Sequence, residues 1–106
     1  MVIVIFRSRV KEDKLVEYYA GVEEMAAIAT SMPGYISHKS YSAPDGERIS
    51  VHEWESKECL EAWRTHPAHL RMQSHGRENF YEDYTLYVCD EPRESRFDGG
   101  RWEGTA

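Results

Sequence analysis

His52-Glu53-Trp54-Glu55-Ser56-Lys57-Glu58-Cys59-Leu60-Glu61-Ala62-Trp63-Arg64-Thr65-His66-Pro67-Ala68-His69 is the stretch on which the fold turns. It begins as a strand: Ser50, His52 and Trp54 share one face, while Ile49, Val51 and Glu53 take the other. Ser56 is a good N-cap for a short helix over Lys57 to Arg64, with Leu60 and Trp63 on its buried side. His66-Pro67 breaks that helix, because a residue before proline avoids helical backbone angles. Pro67 in turn suits the first turn of a second helix, through Ser74 or His75, that Gly76 would end. Two indoles and three imidazoles thus gather around a strand-to-helix junction, and the rest of the chain reads as scaffold.

Working outward, Tyr35 to Ser42 and Arg48 to Glu55 form a hairpin around the tight turn Ala43-Pro44-Asp45-Gly46. Before it, Leu15, Tyr18, Tyr19, Val22, Met25, Ala26 and Ala29 recur at three and four. That stripe predicts an amphipathic helix from Asp13 to Ser31, with Glu12 or Asp13 at its start and Pro33-Gly34 as its stop. Tyr81 to Cys89 alternates as a last strand. Val2 to Val10 is apolar at successive positions until Arg7, as expected of a strand covered on both faces.

The order β-α-β-β-α-β predicts a ferredoxin-like α+β fold, with helices on one face of a four-stranded antiparallel sheet. Helices on one side leave the other face of the first strand uncovered. Two sheets packing face to face would cover it, so a homodimer is expected. The 106 residues suit one domain. It is expected over residues 1–90. Residues 91–106, charged and carrying Asp98-Gly99-Gly100 and Trp102, are expected to be a tail, mobile unless it lies on a partner subunit.

Composition narrows the function. A formal net charge of -6 argues against nucleic acid as a partner. No apolar run approaches the roughly 20 residues of a membrane span, and the N-terminal apolar run is short and lacks a preceding basic segment. Cys59 and Cys89 make neither a disulfide framework nor a zinc pattern, so a cytoplasmic protein with reduced thiols is expected. His66 and His69 are three apart, but Pro67 sets His66 outside the helix and no carboxylate stands at ligand spacing; no metal site is expected. Glycine loops that cradle phosphate and nucleophile elbows are absent, which sets aside kinase, dinucleotide-dependent and hydrolase readings.

Pro33-Gly34-Tyr35, Glu53-Trp54-Glu55-Ser56, Leu60-Glu61-Ala62 and His66-Pro67-Ala68-His69, in this element order, resemble the antibiotic biosynthesis monooxygenase (ABM) superfamily over Val2 to Asp90. The resemblance implies a dimeric α+β barrel with a pocket between sheet and helices in each subunit. It also implies oxygenation of a small quinol- or anthrone-like aromatic with O2, without metal, flavin or other cofactor. Haem binding or degradation is the alternative within the superfamily, and a non-catalytic small-molecule-binding dimer the alternative outside enzymology. Against the haem-degrading pattern, Trp63 matches. Phe6 and Arg7 stand where an asparagine is expected, and Gln73 falls at the ligating histidine, between His69 and His75.

Cofactor-free oxygenation asks the protein for a base near neutral pH, donors for an oxyanion and a dry pocket. On that basis His69 is the expected base, with Trp63 and Asn79 as its catalytic companions. Trp54, His52, Tyr81, Arg7 and His66 are the expected substrate-binding residues. Each has a plainer role open to it. His69 could cap a helix or bond to the hairpin, and Trp63 could simply pack. His52 and Trp54 could face a partner subunit, Tyr81 could be a cross-strand packing partner, and Arg7 could pair with Glu53 or Glu55.

Overall fold

The computed structural model describes residues 1–104; the last two positions of the expected tail lie outside the described residues. Strands β1 (Val2–Val10), β2 (Tyr35–Ser42), β3 (Arg48–Trp54) and β4 (Tyr81–Asp90) form an antiparallel sheet in the order β2-β3-β1-β4. Helices α1 (Leu15–Ala29), α2 (Lys57–Arg64) and α3 (Pro67–Asn79) pack on one face of it. This is the ferredoxin-like α+β arrangement that the element order predicts.

Local chemistry explains the boundaries. Ser56 accepts the Cys59 N–H at 3.2 Å and starts α2. The turn Glu12–Lys14 ahead of α1 is a 3-10 turn rather than α-helix, so α1 begins later than the apolar stripe suggests. Lys11 N–H, just before that turn, donates to Phe80 at 2.8 Å and ties the start of α1 to the end of α3.

Gly76 does not end the second helix of the pair as expected: α3 continues through it to Asn79. The reason is a close approach. A Cβ on Gly76 would lie 2.6 Å from Cε2 of Tyr81, so glycine lets α3 lie against that ring. At Gly34 a turn with φ of +81° and the crowding of Cys59 both demand glycine.

On the helix-facing side of β1, Val2, Val4 and Ser8 are buried. Ile3 and Ile5, on the opposite face, are only half-buried within the single chain. There they stand beside Glu53 and Val51 of β3. Trp54, opposite Val2 in the ladder, has no exposed surface and joins Val4, Ala29 and Trp63 in the core. Between Tyr35 and Ser37 the β2–β3 register shifts by one residue. Tyr35 and His38, an odd number of positions apart, therefore both face the helices. After Asp90, strands β5 (Ser95–Asp98) and β6 (Arg101–Gly104) make a separate exposed hairpin in which Phe97 faces Trp102.

Candidate active site

A cavity of about 230 Å³ lies between the sheet and the three helices. The sheet contributes Val4 and Phe6 from β1, Tyr35 and His38 from β2, and Ser50, His52 and Trp54 from β3. Along the edge strand β4, Tyr84, Leu86 and Val88 line it while remaining 39%, 46% and 51% exposed, so the cavity opens on that edge. Trp63, His69, Met72 and Gln73 of α2 and α3 close it from above.

The expected site residues divide into two groups. His69, Trp63, Trp54, His52 and Tyr81 come together on the cavity wall. Asn79, His66 and Arg7 do not. Asn79 donates Nδ2–H to the His75 carbonyl at 3.1 Å and lies beside the His75 ring, outside the cavity lining. His66 caps α3, its Nδ1 accepting Ala68 N–H at 3.1 Å. Arg7 points to the other side of the sheet and pairs with Glu47 at 3.0 Å, not with Glu53 or Glu55. Each of the three is engaged by local backbone or cross-strand partners that residue type alone does not reveal.

His69 is held in one tautomer. Its Nδ1 is 3.2 Å from the Arg64 carbonyl oxygen. A carbonyl only accepts, so Nδ1 carries the proton and Nε2 keeps its lone pair. The ring sits 4.7 Å from the Trp63 indole, which stacks on Trp54 at 6.3 Å and 22°. Burial, partly offset by the Arg64 carbonyl, lowers the His69 pKa. The ring is therefore neutral near pH 7. His52 is pushed down to about 4, chiefly by burial and then by the neighbouring His38 and His69. Burial also raises the Tyr18 and Tyr81 hydroxyls, which stay protonated donors. The Trp54 Nε1–H is buried with no partner among the described residues.

His38 is the residue that sequence reading missed. It stacks on His52 with ring centroids 4.2 Å apart and 28° between planes, and burial lowers its pKa. The available signal was its place across the hairpin from His52, but the β2 bulge hides its facing from simple alternation.

The donor set also bears on haem. Gln73, at the position of the ligating histidine, lines the cavity with an amide that is a poor iron ligand, while His75 is outside the lining and bonded to Asn79. These residues do not fit the haem-degrading pattern. Among the described residues, no group of three or more His, Cys, Asp or Glu side chains is placed to hold a metal ion. No helix among them is long and apolar enough to cross a membrane.

A ferredoxin-like sheet roofed by three helices over an aromatic, histidine-bearing cavity defines a small α+β pocket protein. Residues 1–75 match the family of antibiotic biosynthesis monooxygenases, and the chain belongs to that family. It is 33% identical over 94 residues to the uncharacterized protein YqjZ of Bacillus subtilis, covering 89% of this chain and 82% of YqjZ. It is 31% identical over 91 residues to jasmonate monooxygenase ABM of Pyricularia oryzae, 83% of this chain but only 42% of that longer protein. Among solved structures, Rv0793 from Mycobacterium tuberculosis has a TM-score of 0.77 at 22% identity, covering 88% of this chain and 96% of Rv0793. SnoaB of Streptomyces nogalater, a cofactor-independent oxygenase solved as a mutant, has a TM-score of 0.74 at 15% identity, covering 88% and 94%. At these identities the structural likeness establishes the fold.

Proposed function

We propose that the protein is a cofactor-independent monooxygenase that uses O2 to oxidise a small quinol- or anthrone-like aromatic. The observation that carries this reading is His69, a neutral imidazole whose Arg64 contact leaves the basic Nε2 free on the wall of an aromatic cavity. The substrate ring lies in the slot beside Trp63 and Trp54, and His69 removes its acidic proton. The resulting anion passes one electron to O2, the two radicals combine, and the peroxide loses water. For an anthrone, a ring CH2 and O2 thus become C=O and H2O; for a quinol, the quinol and O2 become a hydroxyquinone and H2O, with no external reductant in either case. His52 and the Tyr81 hydroxyl donate to the developing oxyanion, the part for which the sequence offers Asn79 or Tyr81.

Two relatives support the reaction class: SnoaB is described as a cofactor-independent oxygenase, and the Pyricularia protein as a monooxygenase. The working unit in this reading is a homodimer formed through the sheet face that carries Ile3, Ile5, Ile49 and Val51, which are only half-buried within one chain.

The test is oxygen uptake by metal-stripped protein with a panel of quinols and hydroxyanthrones, compared with His69→Ala. Uptake that falls on the order of a hundredfold in the variant supports the base assignment. Uptake unchanged by the substitution removes His69 from the mechanism. No uptake above the uncatalysed background across the panel favours a non-catalytic binding role.

A further inference from the structure

The cavity has an unusual charge inventory for this chain. Nineteen of the 106 residues are Asp or Glu, yet none of them lines the cavity. Its titratable lining is His38 from β2, His52 from β3, His69 from α3 and Arg64 from α2, with tyrosine hydroxyls from α1, β2 and β4. Those hydroxyls belong to Tyr18, Tyr35, Tyr81 and Tyr84; β1 contributes only Val4 and Phe6. The Arg64 guanidinium is turned away into a two-pronged pair with Glu61, at 3.0 and 2.6 Å. Among the described lining residues, the imidazoles are therefore the groups that can gain positive charge inside the cavity without a carboxylate partner.

Two of those imidazoles form a built unit. His38 and His52 stand opposite one another across the β2–β3 ladder with their rings stacked. Ser40 Oγ is 3.2 Å from His38 Nε2 and 3.0 Å from Ser50 Oγ, so a hydroxyl relay runs along one edge of the pair. Stacked imidazoles cannot both be charged, and His69 adds to the repulsion at His52. An anion lodged against them would reverse the balance for one proton, because opposite charge favours the protonated ring and the dry surroundings strengthen the attraction.

We propose that the stacked His38–His52 pair, tied through Ser40 to Ser50, is the acid-recognising end of this cavity. Its ligand is an apolar aromatic bearing an ionised oxygen, held as an ion pair with one shared imidazolium. A ligand that is already a carboxylate brings in one proton from solvent. A ligand that arrives as a neutral ring hydroxyl gives that hydroxyl's proton to the pair, with no net uptake, and leaves the proton at the reacting carbon to His69. This inference rests on the cavity being the substrate site and adds the chemical class of what binds there.

The experiment uses the intact protein with 2-naphthoate, 2-naphthol and the neutral 2-naphthalenemethanol. Titration calorimetry in buffers of different ionisation enthalpy near pH 7 counts protons, and absorption spectra report naphthol ionisation. The expected result is uptake of close to one proton with naphthoate, whose affinity falls by up to about tenfold per unit rise in pH, or a naphtholate spectrum for bound 2-naphthol. The alcohol should bind without either signal. Replacing both rings, as His38→Gln/His52→Gln, should abolish the proton signal, with a wild-type circular dichroism spectrum reporting that the variant is folded.

Naphthoate binding without proton uptake, together with naphthol bound in its neutral form, overturns the proposal. So does binding of the alcohol alone, or of none of the three. Because no turnover is needed, the two readings fail separately. Proton-linked naphthoate binding without oxygen uptake on any substrate sinks only the oxygenase. Oxygen uptake with ligand binding that moves no proton sinks only the ion pair.

Discussion

Nδ1 of His69 lies 3.2 Å from the main-chain oxygen of Arg64, and this contact decides which ring nitrogen is basic. Because α2 ends at Arg64 and α3 starts at Pro67, the break between the helices brings the carbonyl of one against the ring of the other. With the His69 pKa below its ordinary 6.5, the base is already neutral at pH 7. The rate should be flat above neutrality and fall as pH drops through the lowered His69 pKa. A kcat/KM profile from about pH 4.5 to 8 checks this, and His69→Ala should remove the acidic limb along with about a hundredfold of rate.

Acid stability should follow His52. Its pKa is about 4 in the folded chain against 6.5 for an unperturbed histidine. Depression means that the unfolded chain takes up the proton first. The stabilisation is whole above about pH 6.5 and is lost as pH falls toward 4, on the order of 3 kcal/mol in all. His38 and His69 act in the same direction. Denaturant titrations across that window should show the loss, and His52→Gln should flatten it; an unchanged slope in the variant would assign the loss to other groups.

Gly76→Ala should destabilise although alanine favours helices by about 1 kcal/mol. The new Cβ would press on Tyr81 at 2.6 Å, and overpacking of that kind costs about 1–3 kcal/mol. A fall of several degrees in Tm is expected. Adding Tyr81→Leu should relieve it, and a stabilised single variant would contradict the close packing of α3 on β4.

Light scattering at micromolar concentration should return a dimer mass. Val51 stands opposite Ile5 in the ladder, on the face turned away from the helices. Val51→Asp would place a charge among those apolar side chains and should yield folded monomer. A wild-type monomer would leave the apolar half of β1 without the cover its sequence implies.

The chain's own pattern was enough for the element order through Asp90, the shared face of His52 and Trp54, the Ser56 cap and the family, because these depend on period, local capping and short motifs. Tertiary structure alone decided the rest of the site. The bulge at Tyr35–Ser37 turns His38 into the cavity, a long-range register effect invisible to alternation. Gly76 reads as a stop until Tyr81 is seen against it. Asn79, His66 and Arg7 carry suitable chemistry, but their nearest partners engage them elsewhere. Residue type and spacing determine which groups could serve; only the packed chain determines which of them share a cavity and how far burial shifts their protons.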